Sequence, residues 1–262
     1  METIAKLTFV RVVTIIETAG AVYHAQPVGP GNWRQVREGY YPKGFKQGGM
    51  GAQLNLVYLG HIHRDSNDET INKHAKDIVE IAHESWVTGD TALYGGNAGS
   101  AWVFAQDFPE VIAGRIVMNQ DTLVARLEAP GKRIIDDNLH ISADGQVRAM
   151  KRENFRIGDY TIEQMLESNQ PIFLTGDEQA PRQMANIMDV TGKLGGLSIP
   201  SQGDISVPVL GEMADKLYLD GDWKDFYPNT YSFGIRHKCS PLQRRALIGL
   251  PLRVRDFKIR NS

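Results

Sequence analysis

Hydrophobic and polar positions along the chain predict short elements of mixed type. Residues 5–16 are rich in β-branched and aromatic side chains, which predicts a first strand. Residues 53–59 form a short apolar run that ends at Gly60, which we interpret as a buried strand. Residues 27–51, by contrast, are rich in Gly and Pro and predict a long irregular loop. Loops of this length are usually functional or disordered.

An amphipathic helix is predicted after residues 66–68, which offer N-cap side chains. Its apolar positions recur every three to four residues, as one face of a helix requires, and Gly89 supplies a stop. These positions are Ile71, Ala75, Ile78, Ala82 and Trp86.

The middle of the chain predicts a meander of strands. Residues 115–118 and 122–127 have strand character and flank a short polar turn. Residues 139–142 and 146–150 flank Asp144-Gly145, a strong hairpin signal.

The second half of the chain returns to helices and then to loops. Thr161 with Gln164 forms a capping-box pattern, which predicts a short helix. Residues 179–189 predict another helix, ending before Gly192. Residues 192–235 contain Gly, Pro and short apolar runs, which predict loops and short strands.

Together these elements predict an α+β fold: a mainly antiparallel sheet with hairpins, a few helices, and long Gly/Pro-rich loops. Helices and strands do not alternate as in a parallel doubly wound sheet. Hydrophobic residues make up 42% of the 262 positions and charged residues 23%, typical of a globular protein. We expect one domain, 1–262, with only a weak division near 130–138 or 192–203.

Charge is sorted sharply along the sequence. Residues 236–262 contain eight Lys or Arg against the single carboxylate of Asp256, a balance of +7. The preceding residues hold 21 cations and 30 anions, a balance of −9. A local positive field attracts a polyanion or an acidic protein surface.

A second basic segment lies in the predicted loop, where aromatic and cationic residues interleave. Single-stranded nucleic acid is bound by cations along its backbone and by aromatic rings that stack on bases. No groove-reading helix is evident, so RNA is favoured over duplex DNA as the partner. The candidate binding residues are Trp33, Arg34, Arg37, Tyr40, Tyr41, Lys43, Lys46, Arg244, Arg245, Arg253 and Arg255. A smaller basic cluster comprises Arg148, Lys151, Arg152 and Arg156.

The strand-like alternation from residue 252 to residue 259 predicts that Arg253 and Arg255 face outward. Residues 236–262, called here the basic tail, could equally pair with the acidic residues that precede them, for example with Asp220, Asp222 or Asp225. The alternative function is therefore a protein–protein assembly component without nucleic acid. In either case we expect other protein subunits as partners.

A third hypothesis is a metal-dependent hydrolase. His61 and His63 follow the predicted strand, and Asp65 lies two residues farther on. Residues two apart in an extended segment project to the same face, so these side chains could share a divalent metal ion. No further ligands form a recognisable framework, and no other cofactor is indicated. Whether the chain is an enzyme stays open, because no motif identifies a reaction.

No stretch approaches the roughly 18 apolar residues of a membrane-spanning helix, so no membrane partner is expected. Residues 7–16 are the most apolar N-terminal stretch, but Arg11 interrupts them, unlike the core of a secretion signal. Cys239 is the single cysteine and has no intramolecular partner, which fits a reducing compartment. We expect a cytoplasmic protein.

Overall fold

A computed structural model describes residues 10–17, 21–237 and 253–260 of the chain. The helices are α1 (Trp33–Arg37), α2 (Met50–His63), α3 (Glu69–Glu84), α4 (Gln120–Glu128), α5 (Ile162–Leu166), α6 (Gln170–Thr175) and α7 (Ala180–Thr191), with a 3-10 turn at Arg152–Asn154. Among these helices, none is long and apolar enough to cross a membrane.

The strands run along the whole described chain. They are β1 (Val10–Glu17), β2 (Ala21–His24), β3 (Val28–Gly31), β4 (Lys46–Gln47), β5 (Trp86–Thr88), β6 (Thr91–Tyr94), β7 (Trp102–Asp107), β8 (Glu110–Ile112), β9 (Arg115–Val117), β10 (Arg133–Ile135), β11 (Leu139–Ile141), β12 (Val147–Lys151), β13 (Gly158–Tyr160), β14 (Leu194–Leu197), β15 (Ile205–Met213), β16 (Lys216–Trp223), β17 (Thr230–Ser232), β18 (Gly234–His237) and β19 (Arg253–Arg260).

The larger sheet has the strand order β10-β11-β12-β7-β6-β15-β16-β14-β13, with β5, β17 and β3 branching from β15. Most neighbours are antiparallel, whereas β14 with β16 and β5 with β17 are parallel. Helices and a mainly antiparallel sheet confirm the predicted α+β class.

The sheet separates two hydrophobic clusters. Helices α2, α3, α6 and α7 pack on one face, where they bury the larger cluster around Leu54, Val57 and Leu210. The opposite face, called here the outer face, is covered in part by α4, which buries a smaller cluster around Phe104 and Leu123. Alternation along the strands supplies both clusters, because successive side chains point to opposite sides of a sheet.

A second sheet joins the two ends of the described chain, in the order β19-β1-β2-β18-β4. β1 and β19 pair antiparallel along their full lengths, from Val10 opposite Arg260 to Glu17 opposite Arg253. The predicted first strand thus agrees with β1 from residue 10 onward, and residues 5–9 lie outside the described residues.

Several local capping and turn signals were predicted correctly, but the Gly89 stop was wrong, because α3 ends at Glu84 and Trp86 begins β5. The Thr161–Gln164 capping box is present at the start of α5. Asp68 caps α3, accepting hydrogen bonds from the backbone N–H groups of Thr70 and Ile71. The Asp144-Gly145 turn connects β11 to β12, and α7 ends at Gly192 in the left-handed conformation. These signals depend only on neighbouring residues, so no tertiary contact overrides them.

The predicted strand at residues 53–59 is wrong, because these residues belong to α2. α2 is buried on several sides, with Leu54, Leu56 and Val57 fully enclosed. A helix that is apolar all round shows no amphipathic period, and a short apolar run cannot be distinguished from a buried strand.

Three other predictions are corrected by the structure. Residues 122–127 lie in α4, where the side chain of Asn119 caps the helix by accepting from the Thr122 N–H. The segment 27–51 is not a continuous loop, because it contains β3, α1, β4 and the start of α2. Residues 192–235 include the nine-residue strand β15 and the eight-residue strand β16, which are long rather than short.

A buried ion pair connects the sheet to the helical layer. Arg148 on β12 has 0% side-chain exposure and forms a two-pronged pair with Asp107 on β7, at 2.8 and 3.0 Å. Its Nε also donates to the Phe173 carbonyl of α6 at 2.8 Å. Asp107 accepts from the Thr91 hydroxyl at 2.7 Å, and that hydroxyl accepts from the Met50 N–H at 3.0 Å. This network holds the first turn of α2 against β6 and β7.

The Arg148→Met substitution is expected to lower the free energy of unfolding by about 3–5 kcal/mol, because Asp107 keeps a partly buried charge without its partner. Urea denaturation followed by circular dichroism measures this loss. Arg126→Met is the control, since Arg126 pairs with the exposed Asp144 and should change stability by about 1 kcal/mol or less. Equal losses in the two variants would contradict the importance of the buried pair.

Candidate functional site

The aromatic residues of the predicted nucleic-acid loop divide between the core and the surface. Trp33 begins α1 and is only 1% exposed, and its Nε1 donates to the Gly89 carbonyl at 2.9 Å. Its indole is therefore not available to stack on a base, and its place in the predicted site is wrong. The Asn32 capping box starts α1 at this point and turns the indole of Trp33 inward.

Several cations of the same segment are engaged within the protein. Arg34 pairs with Glu38 one helical turn later, at 3.1 Å. Arg37 pairs with Asp90 at 2.9 Å and lies over the Trp33 ring. Burial raises the pKa of Asp90 to about 6, although the charge of Arg37 opposes this shift. These two arginines stabilise the fold locally and are weaker candidates for phosphate contacts than the sequence suggested.

The hydroxyl of Tyr41 donates to the Val36 carbonyl at 3.0 Å, which ties this ring to the end of α1. Burial raises the pKa of the Tyr41 phenol. Tyr40, the next residue toward the N-terminus, is 70% exposed. Of the two adjacent tyrosines, Tyr40 is thus the ring with a surface that a ligand can reach.

The remaining cations form a compact surface that we call the basic corner: Lys43, Lys46 and Arg236. All three are exposed, and within residues 21–236 none of them forms a direct ion pair with a carboxylate. Lys46 lies over the Phe108 ring and is near enough to Asp90 for its charge to oppose the raised pKa of that carboxyl. β4 pairs with β18, so Lys46 lies opposite Ile235, the neighbour of Arg236. The Arg236 guanidinium lies 5.1 Å from the centre of the Phe45 ring. This corner concentrates positive charge beside an aromatic ring at the edge of the smaller sheet.

Gly44 makes the turn within this corner possible. Its φ is +87°, a value that residues with a side chain rarely adopt. Its position also lies against the Arg236 side chain, since a Cβ there would stand 3.6 Å from the Arg236 Cδ. The sequence Lys43-Gly44-Phe45-Lys46 therefore wraps closely around Arg236.

The basic tail is described only in part. Arg253 and Arg255 belong to β19, opposite Glu17 and Ile15 of β1. Their outward orientation stays a prediction. Arg244 and Arg245 lie outside the described residues.

The smaller basic cluster divides between the interior and the surface: Arg148 and Arg152 are engaged inside the protein, whereas Lys151 and Arg156 are exposed. Arg148 is buried in the ion pair described above. Arg152 donates to the carbonyls of Pro200 and Gly95, both at 3.0 Å. Lys151 lies 3.7 Å from Glu153. Arg148 and Arg152 are therefore structural residues, and the four residues do not form one continuous basic surface.

The predicted metal site depends on a strand at residues 53–59, but these residues belong to helix α2. His61 and His63 are the last turn of α2, where residues two apart leave the helix about 200° from each other. His61 is buried and His63 is half-buried, while Asp65 follows the helix on the surface. Within the residues whose side chains are described, no group of three or more His, Cys, Asp or Glu could hold a metal ion. The geometric basis of the hydrolase hypothesis is thus absent.

His61 instead belongs to a buried ionic cluster that the sequence did not reveal. The carboxylate of Glu212, at the end of β15, lies 2.8 Å from His61 Nε2 and 2.9 Å from Lys193 Nζ. His83 Nδ1 is 3.9 Å from the same carboxylate. Burial alone would raise the pKa of Glu212, but hydrogen bonds and charges from His61 and Lys193 outweigh it and lower the pKa to about 2. The cluster connects α2 and α3 to the end of the hairpin formed by β15 and β16.

A carboxyl whose pKa is lower in the folded state stabilises the protein above its unfolded pKa near 4.5 and loses that effect as pH falls toward 2. We therefore expect Glu212→Gln to be less stable than the unmodified protein at pH 7. The difference should shrink as pH is lowered from about 4.5 to 2, as measured by urea denaturation at each pH. Glu110→Gln, at an exposed position, is the control and should show no such trend. A difference that is constant with pH would contradict the ionic role of Glu212.

Comparisons with known proteins place this chain at a distance from others. No protein-family model matches the sequence, and no curated protein is similar to it. A solved structure from work on the accommodation of massive sequence variation in Nanoarchaeota by the C-type lectin fold has a TM-score of 0.47 and 13% identity, over 89% of this chain and 99% of that chain. A likeness of this degree carries no argument about fold or function, so both rest on the residues described above.

Proposed function

We propose that this protein binds single-stranded nucleic acid, RNA in preference to duplex DNA, through the basic corner, as a subunit of a larger assembly. The observation that carries the proposal is the exposure of Lys43, Lys46 and Arg236 without direct carboxylate ion pairs among residues 21–236. A cation that forms no direct ion pair with a carboxylate keeps much of its field for a phosphate.

Aromatic surface next to these cations supports a single-stranded ligand. Tyr40 is largely exposed, and Phe45 is half-buried beneath Arg236. Unpaired bases stack on aromatic rings and on guanidinium planes, whereas the bases of a duplex are not accessible to them. An exposed tyrosine beside three cations therefore suits unpaired RNA better than a duplex.

The sheet order supports a longer contact surface. β4 carries Lys46 at one edge of the smaller sheet, and β19 carries Arg253 and Arg255 at the other. Four strand spacings separate these edges, about 19 Å. A nucleic-acid strand that crosses the sheet would reach both basic regions.

Binding of a fluorescein-labelled 20-nucleotide polyuridine RNA, followed by anisotropy between 50 and 200 mM salt, tests the proposal. Three phosphate contacts at the basic corner contribute about −2 to the log–log salt slope. The triple variant Lys43→Glu, Lys46→Glu, Arg236→Glu should weaken binding at least about tenfold and flatten the slope by about 2. Tyr40→Ala should cost about 1–3 kcal/mol with little change in slope.

A matched control has the same change in net charge at other exposed positions: Lys73→Glu, Lys76→Glu, Lys132→Glu. If the control weakens binding as much as the corner variant, the attraction is not local and the proposed site is wrong. An RNA affinity that does not change with salt would contradict the proposed nucleic-acid binding.

The second candidate function is assembly without nucleic acid, which the position of β19 favours. Among the described strands, β19 has β1 as its neighbour on one side and none on the other. An edge strand with free backbone groups is a template for pairing with another chain. A defined oligomer in light scattering, unchanged by nuclease and present without RNA binding, would support this function instead.

A further inference from the structure

A continuous row of aromatic rings crosses the outer face of the larger sheet. Adjacent ring centres lie 4.9–6.3 Å apart along the row. In order, the rings are Tyr218, Trp86, Trp223, Tyr227 and Phe226. Phe226 is 66% exposed and Tyr227 is 41% exposed, so one end of the row is open to ligands. We call these five residues the aromatic row.

Alternation along β16 and β5 places Tyr218 and Trp86 on this face. Leu217 and Leu219 of β16 are fully buried beneath the helices, so Tyr218 between them points outward. Val87 is likewise buried in the main core, which turns Trp86 outward. Trp223 has the same parity as Leu217 and Leu219, and it packs on the outer face beyond the register shift between Val207 and Val209. Tyr227 and Phe226 follow in the loop after β16.

Glycines let the rings lie close to the sheet. Tyr218 has Gly196 on one neighbouring strand and Gly211 on the other. A Cβ at Gly196 would stand 2.7 Å from the Tyr218 ring, and one at Gly211 would stand 2.7 Å from the Trp86 ring. No substituted residue fits at these two positions without displacing a ring. The result is a shallow aromatic surface without side chains rising between the first two rings.

Carboxylates border the aromatic row. Asp220 and Asp222 are on β16 beside Tyr218 and Trp223, and Asp225 precedes Phe226. Asp204 lies nearby, since Lys224 contacts both Asp204 at 2.8 Å and Asp222 at 3.3 Å. The Lys224 ammonium pairs with two of these four carboxylates, so Lys224 and the four aspartates together keep a net negative charge.

We propose that the aromatic row binds an arginine-bearing segment of a partner protein. The faces of aromatic rings attract cations, and a planar guanidinium both stacks on a ring and forms paired hydrogen bonds with a carboxylate. Ring faces and carboxylates are adjacent here, as such a side chain requires. A phosphate backbone would be repelled by the same carboxylates, so this face is separate from the basic corner in the ligand that it selects.

The probe is a fluorescein-labelled peptide of alternating arginine and glycine, with lysine–glycine and glutamate–glycine peptides of equal length as comparisons. The arginine peptide should bind more tightly than the lysine peptide, by roughly threefold or more, because only the guanidinium stacks and pairs in two prongs. The glutamate peptide should not bind. Equal binding of the arginine and lysine peptides would show that negative charge alone attracts the peptide, and it would overturn the proposal.

Phe226→Ser with Tyr227→Ser should weaken arginine-peptide binding about tenfold or more, since both rings are exposed and their loss should not disturb the core. Ile112→Ser with Ile157→Ser removes two equally exposed apolar side chains elsewhere and should leave binding unchanged. Asp222→Asn with Asp225→Asn should also weaken binding, whereas Glu110→Gln with Glu167→Gln should not. Circular dichroism verifies that each variant is folded.

Three results would overturn this assignment. The first is unchanged peptide binding by the Phe226→Ser, Tyr227→Ser variant. The second is a tryptophan fluorescence response to the neutral probe maltohexaose without a response to the arginine peptide, which would make the row a carbohydrate site. The third is loss of polyuridine binding by the Phe226→Ser, Tyr227→Ser variant, which would assign the row to nucleic acid.

Discussion

The fold depends on a charge that is buried deep in a mainly apolar interior. Arg148 is fully enclosed, and its guanidinium donates to Asp107 and to the end of α6. Removing such a group from water is costly, and the cost is offset only when its hydrogen bonds are satisfied, so the surrounding backbone must hold fixed positions. The network fixes β7, β12, α6 and, through Thr91, the first turn of α2. Gly176 leaves room for this arrangement, because a Cβ there would stand 2.5 Å from the guanidinium.

Local signals in the sequence predicted local structure. The Thr161 capping box, the Asp68 cap and the Asp144-Gly145 turn all depend on a few adjacent residues. The apolar run at 53–59 failed because its structure depends on what surrounds it: α3, α6 and α7 enclose α2 on several sides. Its sequence therefore carries no polar face from which a helical period could be read.

The candidate sites likewise depend on tertiary contacts that the sequence does not reveal. Interleaved aromatic and basic residues predicted a binding loop, but composition does not tell which ring enters the core. Trp33 is buried, whereas Tyr40, seven residues later, is exposed. Glu212 and its partners His61 and Lys193 are far apart in sequence and meet only in the folded protein. The aromatic row likewise combines residues of β5, β16 and the loop that follows β16, so no local sequence motif predicts it.

The pairing of β1 with β19 has a consequence for biosynthesis. Glu17 and Arg253 are register partners on the adjacent strands β1 and β19, although 236 positions separate them along the chain. At about 5–20 residues per second, a ribosome needs roughly 12–47 s to supply the second strand after the first has emerged. During this interval one edge of β1 lacks its native neighbour, while the larger sheet can already form from the intervening residues. Completion of the smaller sheet is therefore a late event, and a nascent chain is most exposed to wrong strand pairing before it occurs.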